Sequence, residues 1–173
     1  MKQSEPANSV FEQIDAPAML DEVQAWSAIN TGTANLDGLA QQSRALADAF
    51  AELPGEVELA EPAQVTAVDE AGVEFEKPHG QHLVVRVRPQ ANRRILLTGH
   101  MDTVFPIDHA FQEQKWLDDD TLNGPGVADM KGGISVILHA LKVFEASENA
   151  NALGYDVFIN SDEETGSLAS SAL

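Results

Sequence analysis

The sequence predicts an α/β protein arranged as a three-layer α/β/α sandwich. Apolar residues recur at helical spacing in the first third of the chain and again over about residues 131–146. Between and after them lie short runs that alternate or stay continuously apolar, as strands do. The resulting order is helices, strands, helix, strand, and helices that alternate with strands in this way pack over the faces of a sheet.

Residues 1–17 read as a loose lead-in. Met19, Leu20, Val23, Trp26 and Ile29 mark one amphipathic helix. Leu36, Leu39, Leu46, Phe50 and Leu53 mark a second, stopped by Pro54-Gly55, and Asn30-Thr31-Gly32-Thr33 separates the two. Residues 56–60 and 64–69 alternate and read as strands, as does the stretch 82–88, which Pro89 ends. Ile95-Leu96-Leu97 is a continuous apolar run of the buried-strand type, and Gly99 ends it just before His100. Residues 105–128 read as a long loop holding a small hairpin around Asp118-Asp119-Asp120. The third helix shows Ile134, Ile137, Leu138, Leu141 and Phe144 on one face, and Val157-Phe158-Ile159 forms the heart of another core strand. Residues 168–173 look like the first turns of a helix cut short, so the chain reads as a fragment.

At 173 residues the chain can bury a sizeable core. Apolar residues make up 43% and aromatics only 6%, so that core rests on Ala, Val, Leu and Ile. Ten basic residues against 28 acidic ones give a formal charge of -18, which repels nucleic acid and anionic membranes and argues against both as partners. There is no cysteine, so any zinc must be held by His and carboxylate. The first 13 residues lack the apolar run of a secretory signal, and no stretch reaches the roughly 20 apolar residues of a membrane span. The expected location is the cytoplasm.

Three clusters carry chemistry, each at a strand end or a loop-to-helix junction, where α/β folds place their sites. The first is Thr98-Gly99-His100-Met101-Asp102-Thr103-Val104. Residues two apart in extended chain point to one side, so His100 and Asp102 can share a pocket, and an imidazole that binds metal needs its other nitrogen fixed by an acceptor. Alone, a His-x-Asp pair reads as incidental. The second is Asn123-Gly-Pro-Gly-Val-Ala-Asp129-Met-Lys-Gly-Gly133. Asp129 is either a helix cap or a carboxylate bridging two cations, with glycines letting the backbone pass close by; caps are the commoner case. The third is Ser161-Asp162-Glu163-Glu164-Thr165-Gly166-Ser167, either a solvated acidic turn or, at the mouth of a buried strand, a metal ligand beside a general base.

Taken together and in this order, the three motifs resemble the zinc-dependent exopeptidase and amidohydrolase family of glutamate carboxypeptidase, aminoacylase, acetylornithine deacetylase and succinyl-diaminopimelate desuccinylase. The motifs span residues 98–167, and Ile29-Asn30-Thr31-Gly32-Thr33 after the first helix also fits. The Asn-Gly-Pro-Gly wording leans towards the glutamate carboxypeptidase-like branch. The resemblance implies a sandwich of the zinc exopeptidase type, with residues 18–173 forming the N-terminal part of its catalytic domain. It implies that His100 binds one zinc, Asp129 bridges both, and Glu164 binds the other. Asp102 would orient His100, and Glu163 would be the general base that takes a proton from water and later protonates the leaving amine. Two zinc ions are implied per complete site, although the same donors accept cobalt or manganese. A later acidic ligand, a later His, and a lid and dimerisation domain are implied too, and with the lid a homodimer. The substrate implied is a peptide or an N-acyl amino acid. The competing reading is a non-catalytic metal-binding or interaction domain that keeps the hydrolase fold. His79, His82, His109 and His139 match no motif and read as ordinary surface or loop residues.

Overall fold

The computed structural model describes residues 12–173, so most of the lead-in read from the sequence lies outside the described residues. Helix α1 spans Ala16–Ser27, so its first two residues fall within the expected lead-in. Asp15 caps it by accepting the Ala18 amide at 3.0 Å, and Pro17 suits a first turn whose amides have no partner. Helix α2 spans Leu36–Phe50, and Asn35 caps it through the Gly38 amide at 3.2 Å. Helix α3 spans Gly132–Glu145.

Strands β1 (Glu56–Ala60), β4 (His82–Val87), β8 (Gly154–Asn160) and β5 (Arg94–His100) form the main sheet in the spatial order β1-β4-β8-β5. The first two pairings are antiparallel, and β5 runs parallel to β8. Two small hairpins stand apart from it: β2 (Val65–Val68) with β3 (Glu74–Lys77), and β6 (Lys115–Trp116) with β7 (Leu122–Asn123). The sequence reading did not include β3, because Glu-Phe-Glu-Lys is too polar to stand out. Residues 168–173 form turns, with Ser171 N donating to Ser167 O, and no helix is established there.

The alternation of the strands decides where the core sits. Leu83, Val85 and Val87 of β4 and Tyr155, Val157 and Ile159 of β8 point to one face and are buried. Trp26 of α1, Leu39, Leu46 and Phe50 of α2, and Ile134, Leu138 and Leu141 of α3 close over them in one cluster. Each fully buried side chain of this size stabilises the fold by about 1.5–3 kcal/mol. On the opposite face Leu96 is 64% exposed, so that face stays open to solvent beside β5. Among the described residues, no helix is long and apolar enough to cross a membrane.

The parallel pairing of β5 with β8 matters for the site. It sets His100 level with Asn160, so the two strands end side by side and the segments that follow them meet. Met101 N donates to Asn160 O at 2.8 Å and carries the pairing one residue further.

Candidate metal centre

His100 is the last residue of β5 and is buried to 6% exposure, while Asp102 just beyond it is fully buried. Asp129 sits in the turn before α3. Its backbone is non-helical, and α3 has no side-chain cap. The helix-cap reading of Asp129 therefore fails. Its carboxylate turns to His100 instead, with Nε2 of the imidazole 2.9 Å from Oδ1. Gly126 makes the turn possible: its φ is +71, and an added Cβ would crowd Thr103 and the Lys131 stem.

The acidic run after β8 divides its labour. Asp162 is fully buried and turns inward, accepting the Ala169 amide at 2.7 Å, so it shapes the turn. Glu163 and Glu164 open a short helical turn, Glu163–Thr165. Glu164 is half-buried and reaches the centre, whereas the adjacent Glu163 is exposed. One donor atom each from His100, Asp129 and Glu164 lies within 4.8 Å of the others, close enough to share a cation.

Asp102 ties the arrangement together. Its Oδ1 accepts the Glu163 amide at 3.2 Å, and its Oδ2 accepts the Glu164 amide at 3.2 Å and the Thr33 hydroxyl at 2.7 Å. It also faces His100, but the nearer partner of Nδ1 is the Asp102 backbone carbonyl at 3.0 Å, against 3.4 Å to the carboxylate. A proton on Nδ1 thus points at a fixed carbonyl, which leaves Nε2 to face Asp129 and any cation.

Electrostatics match a site built for positive charge. Burial pulls the His100 imidazole down, but Asp102 and Asp129 outweigh burial and raise it to about 9. Glu164 is raised above the usual carboxyl range, by burial first and then by Asp102, Asp129 and Glu163, partly offset by His100. The cleft is open rather than enclosed, since the Asp129 side chain is 78% exposed. A concavity of about 680 Å³ lies elsewhere, between α1 and α2 beside Ile107, and holds none of these groups.

Residues 96–173 match the model of peptidase family M20/M25/M40. A curated relative, carboxypeptidase G2 of Pseudomonas sp. (strain RS-16), is 31% identical over 157 residues, which is 90% of this chain and 35% of that protein. A putative succinyl-diaminopimelate desuccinylase of Mycobacterium tuberculosis (strain CDC 1551 / Oshkosh) is 34% identical over 107 residues, 61% of this chain and 28% of that protein. Human carnosine dipeptidase 1 shares the fold, with a TM-score of 0.71 at 22% identity over 95% of this chain and 36% of its own. The chain thus spans about a third of the length of the relatives it matches. All three motifs that carried the resemblance, from His100 to Glu164, fall within the M20/M25/M40 segment.

Two residues missed in the sequence hold this M20/M25/M40 segment against the helices. Thr33 reaches Asp102 from the loop between α1 and α2. Lys131 is buried, and its ammonium donates to the carbonyls of Trp26 and Ile29 at 3.0 and 2.9 Å, closing the end of α1. Burial pushes Lys131 down to about 8. Its place between Asp129 and two glycines was the one available signal. His82 and His139, read as surface or loop residues, are buried instead. His82 accepts the Ser161 amide at 3.2 Å, and burial lowers its pKa; His139 on α3 lies 3.1 Å from Glu22 on α1.

Proposed function

We propose that the full-length protein is a two-zinc hydrolase that cleaves a peptide or amide bond, of the carboxypeptidase or N-acyl amino acid deacylase type. The observation that carries this reading is the convergence of one imidazole and two carboxylates, from three separate motifs, on one notch at the strand ends. The donor set fits zinc: nitrogen and carboxylate oxygen, an imidazole fixed at its other nitrogen, and acids crowded enough to raise Glu164. His100 and Asp129 would hold one ion, and Asp129 and Glu164 the other. The remaining acidic and His ligands would come from residues outside this chain, as would a lid that pairs two protomers. Residues 18–173 are then the N-terminal part of the catalytic domain.

Bound there, zinc supplies Lewis acidity that polarises the scissile carbonyl and makes water easier to deprotonate near neutral pH. Glu163, exposed beside Glu164, takes the proton from the attacking water. As the carbon–nitrogen bond breaks, Glu163 returns that proton to the leaving amine. The products are a carboxylate and a free amine. Asp102 keeps the Glu163 and Glu164 amides in register with His100 throughout. The similarity to carboxypeptidase G2 supports an amino acid released from the C-terminal side of the cleaved bond.

The test is hydrolysis by the full-length protein of a panel of dipeptides and N-acyl amino acids, with and without a chelator. We expect turnover that the chelator abolishes and zinc restores. Hydrolysis that persists after complete metal removal would overturn the proposal.

A further inference from the structure

We propose that Thr33 is a positioning residue for the metal centre, acting through Asp102; the inference rests on the metal-hydrolase reading above. Asp102 is fully buried, and both of its carboxylate oxygens are engaged. The partners of that carboxylate are His100, the Glu163 amide, the Glu164 amide and the Thr33 hydroxyl. Among the described residues, Thr33 is the one partner that comes from outside the three motifs. Its bond is also the shortest of the four, at 2.7 Å.

The loop that carries Thr33 is fixed where it must be. Thr103 N donates to Thr31 O at 2.9 Å, and Gly32 pairs with Thr103 as an isolated parallel bridge. Asn30 accepts the Gly32 amide at 3.1 Å and donates to Phe105 O at 3.0 Å. A Cβ on Gly32 would come within 2.5 Å of Phe105 O, so only glycine allows this approach. The backbone that follows Asp102 is therefore anchored to the loop, and the chain path delivers Thr33 onto Oδ2.

The consequence concerns orientation. A carboxylate rotates about the bond to its Cβ, and that rotation is broad when nothing resists it. Two amide bonds of 3.2 Å resist it weakly, and the shorter hydroxyl bond resists it most. Without the hydroxyl, the Asp102 plane can turn, and the Glu163–Glu164 turn loses its register with His100. Groups behind a metal ligand act in this way, and removing one costs about 10- to 100-fold in metal affinity or activity.

The experiment compares wild type, Thr33→Val and Thr33→Ser in the full-length protein. Zinc affinity is measured by competition with a chelator, and amide hydrogen exchange is followed at Glu163, Glu164 and Leu138. We expect Thr33→Val to weaken zinc binding about 10-fold or more, the range for such partners. Thr33→Ser, which keeps the hydroxyl, should restore most of the affinity. Exchange at Glu163 and Glu164 should quicken far more than at Leu138 in the core. If Thr33→Val fails to fold, Thr33→Ala, which differs from Thr33→Ser only by the hydroxyl, carries the comparison. Wild-type affinity in the variants without a hydroxyl overturns the inference. So does equal weakening in Thr33→Ser, or exchange that rises equally across the core. Wild-type protein that binds no zinc overturns the proposed function itself, and this inference with it.

Discussion

His100 Nε2 lies 2.9 Å from Asp129 Oδ1, while Nδ1 of the same ring lies 3.0 Å from the carbonyl oxygen of Asp102. Both ring nitrogens thus face acceptors, and without a cation only the protonated imidazole can donate to both. Burial lowers the ring, but the Asp102 carboxylate, then Asp129 and the Asp102 carbonyl, outweigh it and raise the imidazole to about 9. A cation at Nε2 takes the place of that proton, so metal binding and protonation compete at one atom.

The first prediction follows from that competition. The folded pKa of His100 is raised above the unfolded value of 6.5, so its stabilising contribution is fully present below about pH 6.5 and is lost as pH rises through about 9. Raised Glu164 acts in the same sense, since it holds a proton more tightly folded than unfolded. Lowered Lys131 acts oppositely above about 8, and lowered His82 oppositely below the ordinary His range. The clean window is therefore about pH 7 to 8. In chelator, the melting temperature should fall across it, and His100→Asn should flatten the fall. With zinc present the trend should reverse, because metal needs the deprotonated ring. A melting temperature in chelator that climbs from pH 7 to 8 would contradict the assignment.

The second prediction separates two adjacent acids. Glu163 is exposed, and Glu164 is half-buried against His100 and Asp129. Glu163→Gln in the full-length protein should lower kcat by about 100- to 10,000-fold, the usual contribution of a general base, while zinc content stays unchanged. Glu164→Gln should instead lower zinc content. Near wild-type turnover in Glu163→Gln would remove Glu163 from the role of base.

The sequence carried the fold where periodicity is strong and the site where motif order is specific. β4, β5, β8 and α3 are legible because their apolar runs have the right length and period. His100, Asp129 and Glu164 are legible because each sits at an element end that topology brings to one place. Asp129 shows the limit, because its residue type fits a helix cap equally well, and only the non-helical backbone decides against it. His82 and His139 were misread because burial of a histidine depends on distant partners. His139 needs Glu22, far earlier in the chain, and His82 needs Ser161. Thr33 and Lys131 were missed for the same reason, as their meaning lies in Asp102 and in the end of α1. Ser135 and His139, one turn apart on α3, both reach the Glu22 carboxylate.

The third prediction concerns Lys131. Its ammonium holds two carbonyls at the end of α1 while its backbone amide donates to Gly126 O at 2.8 Å. It therefore ties the Asp129 turn to the first helix. Lys131→Met fills similar space but takes the ammonium away from the Ile29 carbonyl, while the Trp26 carbonyl keeps the Ile29 amide at 3.1 Å; an unpaired group of this kind costs about 1–3 kcal/mol. Denaturant unfolding should show a loss of about that size. Unchanged stability would show that the Lys131 ammonium does not hold the end of α1.

The last prediction concerns these 173 residues expressed alone. Catalytic zinc commonly takes three protein ligands of about four in all. In the proposed site His100 and Asp129 would serve one ion, and Asp129 and Glu164 the other, so each would have two ligands with one shared. Weak binding is expected. Asp102, Asp129 and Glu163 already raise Glu164, so without metal the acids strain against one another and loosen the segments at 100–104 and 161–167. β5 stands at the edge of the sheet with Leu96 64% exposed, and an open apolar edge favours self-association. The isolated chain should therefore hydrolyse no amide, bind zinc poorly and tend to aggregate. Calorimetric titration with zinc, run beside an assay on N-acyl amino acids, checks this. Tight binding of two zinc ions with measurable turnover would show that His100, Asp129 and Glu164 need no ligand from elsewhere.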